Sequence, residues 1–411
     1  MTISWAEKQP AGAADKNWYG GCVSGNGLVM LAGIITGRIY KSIDGGANWA
    51  ETFPTGSAVD KSWKACCADY DGSVLIVGVD GGRMYKSVDT GANWTEIQPA
   101  GAVDKAWSSV ACSSDGSVIF CGVYGGRLYL SVNTGTSWNE MRPAGNVDRN
   151  WFELDCDSDG SFLICASDSA TANLGRVYIS SDTGANWAET RPAGNTDKRW
   201  RCIACDADGS NLVAGVYNGR LYVYSSGSWA EKRPIGDADN QYNAGDSNSD
   251  GSILIVGGYG TSTYGKAWST PDSGANWTEQ HPGAATKSHY ITKCDSNGAK
   301  FLIGYYGGRL WVGTYSTTQS YSFVSTGGGV IGGSATLKRN AVLIASGGSI
   351  IGGSATLKRG VILIESGGSV IGGSTILKRG AVLIESGGGV ISGVGVPPVT
   401  GGRGMFRRIG A

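Results

Sequence analysis

The feature that most constrains this chain is a tryptophan that keeps returning with a glutamate two places later. Trp5, Trp49, Trp94, Trp138, Trp187, Trp229 and Trp277 each open W-x-E, at spacings of 42 to 49 residues. A period of that length marks one supersecondary unit used repeatedly, because a unit so small cannot bury its apolar face alone and must stack on its neighbours. The third copy shows what each unit contains. Strand-like runs at 107–113, 117–123, 127–131 and 138–141 are divided by turn signals at Asp115-Gly116, Gly125-Gly126 and Thr134-Gly135. Four short strands per unit of about 45 residues is the pattern of a propeller blade. Composition agrees, since 68 of 411 residues are Gly, and each one weakens a helix interior. After the run at 309–315 no further W-x-E follows, whereas Trp5-Ala6-Glu7 stands unpaired at the start. Residues 3–9 are therefore expected to supply the last strand of the seventh unit and close the ring, leaving no open sheet edge.

Each unit ends in S-x-D-x-G-x-x-W, as in Ser42, Asp44, Gly46, Trp49; Ser87, Asp89, Gly91, Trp94; and Ser180, Asp182, Gly184, Trp187. The pattern resembles the Asp-box, or BNR repeat, of sialidase-like propellers, over about residues 1–315. The third copy departs from it with Asn133, the sixth with Thr270, and the fifth is shortened to 225–229. The resemblance implies an all-β chain whose first domain, 1–315, is a seven-bladed β-propeller. In such a turn the carboxylate accepts backbone N–H groups and glycine supplies positive φ, so the motif reads as a structural fastening. Enzymes of the sialidase type need an arginine cluster, an Arg-Ile-Pro type motif, a Tyr-Glu nucleophilic pair and an acidic proton donor, and none is recognisable. Arg38, Arg83, Arg127, Arg176, Arg220 and Arg309 recur at one place in the repeat, which marks them as architectural. No catalytic residue, cofactor or metal ligand is assigned. Cys202-x-x-Cys205 lacks the second ligand pair a zinc site requires.

The candidate binding residues come from the segment joining successive units, P-A-G-x-x-D-K-x-W. It supplies Asp15, Lys16, Trp18; Asp60, Lys61, Trp63; Asp104, Lys105, Trp107; Asp148, Arg149, Trp151; and Asp197, Lys198, Trp200, with Tyr124 from a loop between second and third strands. Strand counting puts these loops on one face and the Asp-box turns on the other. A ring of Asp, Lys, Trp and Tyr suits a cell-surface glycan or a protein receptor. The alternative is that Asp and Lys pair between units and Trp packs beneath them.

From Gly327 the chain changes to a 20-residue repeat, exemplified by GGSIIGGSATLKRGVILIES. Its apolar runs need cover on both faces. The expectation is a linker at 316–326, a glycine-rich β-stalk at 327–395 forming an intertwined homotrimer, with a single-chain solenoid as the other arrangement, and a flexible anchoring tail at 396–411. The repeats resemble the shafts of phage fibre and spike proteins in style. Residues 327–411 carry nine basic groups and two acidic ones, although the whole chain balances 34 Lys+Arg against 34 Asp+Glu. That balance argues against a nucleic-acid partner. No run reaches the roughly 20 apolar residues of a membrane-spanning helix, and no secretory signal is read at the start. Buried thiols are expected for most of the ten cysteines, with hairpin pairs Cys112–Cys121 and Cys156–Cys165 considered for disulfides.

These readings combine into a non-enzymatic virion appendage of fibre or spike type. It would be made in the host cytoplasm and located in the virion, with a receptor-recognising propeller head and a trimeric stalk bound to other virion proteins. The alternatives are a sialidase-like glycoside hydrolase, or a scaffold resembling the BNR-repeat assembly factors of photosynthetic membranes.

Overall fold

The computed structural model describes residues 1–168, 175–260, 265–284 and 287–315, together with the backbone of strands between 322 and 395. The chain divides into two compact units, Met1–Tyr315 and Ser316–Ala411.

The first unit is all-β and propeller-like. Its strands pair into four-stranded antiparallel groups that follow the sequence repeat. The third group runs Lys105–Cys112, Ile119–Gly126, Leu128–Ser131, Asn139–Met141. In the last group Ser288–Cys294, Lys300–Tyr306 and Leu310–Thr314 are completed by Ser4–Lys8, in register Ser4 with Thr314 through Lys8 with Leu310. The strand around Trp5 thus joins chain segments some 300 residues apart in sequence, as a ring closure requires.

The groups are tied to each other by a cycle of backbone hydrogen bonds. Tyr70 N–H donates to Ser114 O, Ser114 to Ser158, Ser158 to Ala207, Ala207 to Ser249, Ser249 to Ser296, and Ser296 back to Gly25, all at 2.8–3.1 Å. Asn26 N–H completes the circuit on Tyr70 O at 2.8 Å. Between each adjacent pair of groups lies a small apolar core. Trp107, Val110 and Ile119 pack on Ala65, Ile76 and Met84 of the group before, and Trp18, Met30 and Ala32 pack on Ile291, Leu302 and Leu310, linking the first group to the last.

All ten cysteines are free thiols. The hairpin pairs considered above do not face one another: Cys112 stands opposite Ile119 and Cys121 opposite Val110, and Cys156 and Cys165 are likewise displaced.

In the second unit the strands pair in parallel, each with the strand 20 residues further on except in the last pair, where Thr375 meets Val394. Ser322–Thr326 lies beside Val342–Ser346, then Ile362–Ser366, then Val382–Ser386, and two further series repeat the arrangement. The expected linker is therefore shorter than 316–326, because 322–326 is already the first strand of a sheet. The pairings run within one chain, so an intertwined arrangement is not needed to satisfy these backbones. The anchoring tail at 396–411 and the Lys-Arg positions of the repeats lie outside the described residues.

Candidate functional site

The recurring joint between groups is built from charge and tryptophan. In six of the groups the arginine after the second-to-third strand turn reaches the Glu of W-x-E and the Asp of the next joint together, and in the sixth group Lys266 pairs with Glu279. Arg83 Nε stands 2.7 Å from Asp104 with Glu96 at 3.8 Å from Nη1. The same clamp joins Arg38 with Glu51 and Asp60, Arg127 with Glu140 and Asp148, Arg176 with Glu189 and Asp197, and Arg309 with Glu7 and Asp15. The residue after the Asp holds the joint through its backbone: Lys16 bridges Gly308, Lys61 bridges Gly37, Lys105 pairs with Gly82, Arg149 pairs with Gly126, and Lys198 N–H donates to Gly175 O. Trp18, Trp63, Trp107, Trp151 and Trp200 are all buried to within 2% exposure, and Trp63, Trp107 and Trp151 each donate Nε1–H to a glycine carbonyl at 3.1 Å. The Trp positions of the candidate ring are thus buried, and its Asp positions are engaged in ion pairs. Of the candidates, Tyr124 and the wall of Trp107 reach a cavity.

That cavity, about 250 Å³ in volume, is lined by the first strands of several groups. Its walls come from the position after the joint's final aromatic residue, where the repeat breaks. Tyr19, Lys64, Ser108, Phe152, Arg201, Asn243 and Tyr290 succeed Trp18, Trp63, Trp107, Trp151, Trp200, Tyr242 and His289. A second varied position, at the end of the second strand, adds Asp80 and Tyr124 to the wall, and in other groups the same position carries Asp168, Tyr217, Tyr259 and Tyr306. Apart from Tyr124, none of these residues belongs to a recurring motif; their signal is that equivalent places of the repeat carry unlike residues within an otherwise repeated frame.

The side chains form one connected network. Tyr19 and Tyr290 rings lie 4.2 Å apart, Tyr290 meets Tyr259 and Tyr306, and Tyr259 meets Tyr217. Lys64 Nζ lies over Tyr19 at 4.9 Å and pairs with Asp80 at 2.7 Å. Asp168, 2% exposed, holds Arg199 and Arg201 together at 2.7–2.8 Å, and both guanidiniums stack on Tyr217. Such pinned, paired cations on aromatic faces are pre-organised for recognition. Burial pushes the phenol of Tyr290 up to about 12 and raises that of Tyr19, so both remain neutral hydroxyls.

Deeper along the first strands, Lys293 Nζ meets Glu153 at 3.1 Å. Burial lowers the Lys293 pKa, yet the charges of Glu153, Asp246 and Asp155 outweigh it and hold the ammonium charged. Asp155 accepts N–H from Cys205 at 2.8 Å and Cys156 at 2.9 Å; burial, reinforced by Asp246, pushes its carboxyl up to about 7. Three carboxylates thus share one ammonium.

On the S-x-D turns, Ser87 Oγ–H donates to Asp89 at 2.8 Å and accepts from Gly91 N–H at 2.8 Å, while Asn93 N–H donates to Asp89 at 2.8 Å. Backbone hydrogen bonds pull Asp44 and Asp89 down to about 2. Among the described residues there is no cluster of three or more metal-ligating side chains.

No protein-family model matches the chain, and no curated protein matches it. Among solved structures it is similar to YCF48 bound to D1 peptide, with a TM-score of 0.57 and 12% identity over 76% of this chain and 97% of that one. It is also similar to YCF48 from Cyanidioschyzon merolae, with a TM-score of 0.55 and 14% identity over 75% and 98%. At these identities the likeness establishes the fold, that of a distantly similar β-propeller protein. The expectation of a virion fibre or spike with a host-attachment role is corrected by this finding. It rested on the style of glycine-rich repeats with no diagnostic motif, and the YCF48 likeness sits better with the scaffold alternative.

Proposed function

We propose that residues 1–315 form a closed seven-bladed β-propeller of Asp-box type that acts without catalysis, as a scaffold whose central mouth receives a segment of a protein partner. The observation that carries this reading is the gathering of the non-repeated residues, Tyr19, Phe152, Arg201, Asn243 and Tyr290, around one cavity. Repeated positions maintain the frame, so positions free of that duty are where selectivity for a ligand can be written. The likeness to a YCF48 structure holding a D1 peptide supports a peptide as the ligand. A non-catalytic role is supported by the pairing of carboxylates at the mouth: Asp80 is held by Lys64, Asp168 by two arginines and Glu153 by Lys293. Residues beyond 316 add a single-chain β-solenoid, a reading supported by parallel pairing at 20-residue intervals.

Panning a random-peptide display library against the full chain tests the scaffold reading. Enriched peptides are expected to bind wild type and to lose at least tenfold in affinity for Arg201→Ala and Tyr290→Ala, both of which keep the far-UV spectrum. Failure to enrich any peptide, or equal binding by both variants, overturns it.

A further inference from the structure

The size and chemistry of the cavity specify what enters it. At about 250 Å³ it lies below the range of pockets that take drug-sized ligands. It suits one large side chain. Each cation of its wall already has an acid within 3.1 Å, Lys64 on Asp80, Arg201 on the Asp168 that it shares with Arg199, and Lys293 on Glu153, so a charged ligand must compete with a counterion in place. What remains is aromatic wall and neutral hydrogen-bonding capacity. Tyr19 and Tyr290 stand with their rings 4.2 Å apart, and Phe152 carries the Arg201 guanidinium at 4.7 Å. No hydrogen-bond partner is found for the two phenol hydroxyls among the described residues. Asn243, 2% exposed and part of the cavity wall, is anchored through Nδ2 on His289 O at 2.8 Å, and its Oδ1 is without a partner.

Resting on the scaffold reading above, we infer that the cavity takes a single aromatic side chain bearing an O–H or N–H, a tyrosine or tryptophan of the partner's peptide, inserted as its anchor. Flat aromatic residues lose little conformational freedom on docking and dominate the energetics of pockets at interfaces. A tip donor serves the neutral groups at the wall. A plain phenyl ring would strip their water and return nothing, which penalises it.

Two small probes, p-cresol and toluene, examine this without knowledge of the partner, with methyl β-glucoside as the sugar control. Saturation-transfer NMR on the full chain should detect p-cresol at least tenfold tighter than toluene and no glucoside binding. Ser108→Phe, which adds a ring to the cavity wall, should abolish p-cresol binding while the thermal melt stays cooperative. A second variant, Ala106→Trp, plugs the mouth if the first misfolds. Equal binding of toluene, p-cresol binding that survives a plug, or preference for the glucoside overturns the inference. Panned peptides that bind the mouth yet carry no Tyr or Trp overturn it while leaving the scaffold reading standing. Bound p-cresol with no enriched peptide sinks the scaffold reading alone.

Discussion

Replacing Asp155 by Asn should stabilise the first unit above neutral pH and not in acid. The carboxyl of Asp155 is raised from an ordinary 3.8 to about 7 by burial and by Asp246, with Lys293 and the two backbone N–H groups opposing. A carboxyl whose folded pKa is raised contributes its stability fully below the unfolded pKa and loses it as pH climbs through the folded value. The loss therefore develops between about pH 4 and 7 and is complete above it. A difference of 3.2, from 7 less 3.8, corresponds to about 4 kcal/mol at 1.36 kcal/mol per unit. Asp155 is half-buried, so solvent screening leaves about 2–4 kcal/mol as the working range. Asn cannot reproduce both acceptor roles toward Cys156 and Cys205 N–H, a cost of about 1 kcal/mol. The net expectation is about 1–3 kcal/mol of stabilisation at pH 8 and about 1 kcal/mol of destabilisation at pH 4. Urea unfolding followed by tryptophan fluorescence reads it cleanly, since all 14 tryptophans lie between Trp5 and Trp311. A gap between variant and wild type that stays constant from pH 4 to 8.5 refutes the argument.

Deleting residues 1–8 removes the strand that pairs with Leu310–Thr314 and exposes the cluster holding Ile3 and Trp5; about 4–6 kcal/mol should go, and an unchanged melting temperature would contradict the closure. Ser87→Ala deletes the hydroxyl that links Asp89 to Gly91 N–H and should cost about 1–2 kcal/mol by urea unfolding, with no effect on peptide binding. Arg83→Ala breaks the clamp on Glu96 and Asp104 at about 1 kcal/mol, whereas Lys105→Ala, whose backbone makes the joint, should change stability by less than about 0.5 kcal/mol; equal costs would show the clamp to be idle.

The strand pattern was legible because tryptophan spacing, turn glycines and alternating apolar runs all repeat together. In the third unit the sequence reading places the second strand at 117–123, while the structure has Ile119–Gly126. The extension arises because Tyr124 and Gly126 pair with Asn150 and Arg149 of the next unit, a contact that no pattern within one unit reveals. The candidate ring mixes ion-paired and buried positions: its Asp residues pair with arginines, not with the Lys or Arg beside them, and its Trp residues are buried. Asp60, Asp104 and Asp148 recur because most joints use an arginine clamp, and Trp63, Trp107 and Trp151 recur because those interfaces need filling. Recurrence therefore selects for architecture. The cavity wall was hidden in the residue beside each tryptophan, where Tyr19, Lys64, Phe152 and Arg201 share a place and nothing else. Glu153 and Lys293 sit 140 positions apart, a separation across which no sequence pattern announces a contact. The parallel pairing of the second unit follows from copies of equal length, which stack in register when each rung has 20 residues.

The central claim is that ligand recognition belongs to the irregular positions around the mouth and not to the repeated motifs. Hydrogen–deuterium exchange on the full chain, with and without an enriched peptide at saturation, measures this directly. The account predicts added protection in the first strands around Trp18–Val23, Arg149–Cys156 and Ser288–Cys294 and at the loop carrying Tyr124. The turns at Ser42–Trp49, Ser87–Trp94 and Ser180–Trp187 should exchange as before. Protection confined to those turns, with none at the mouth, would contradict it.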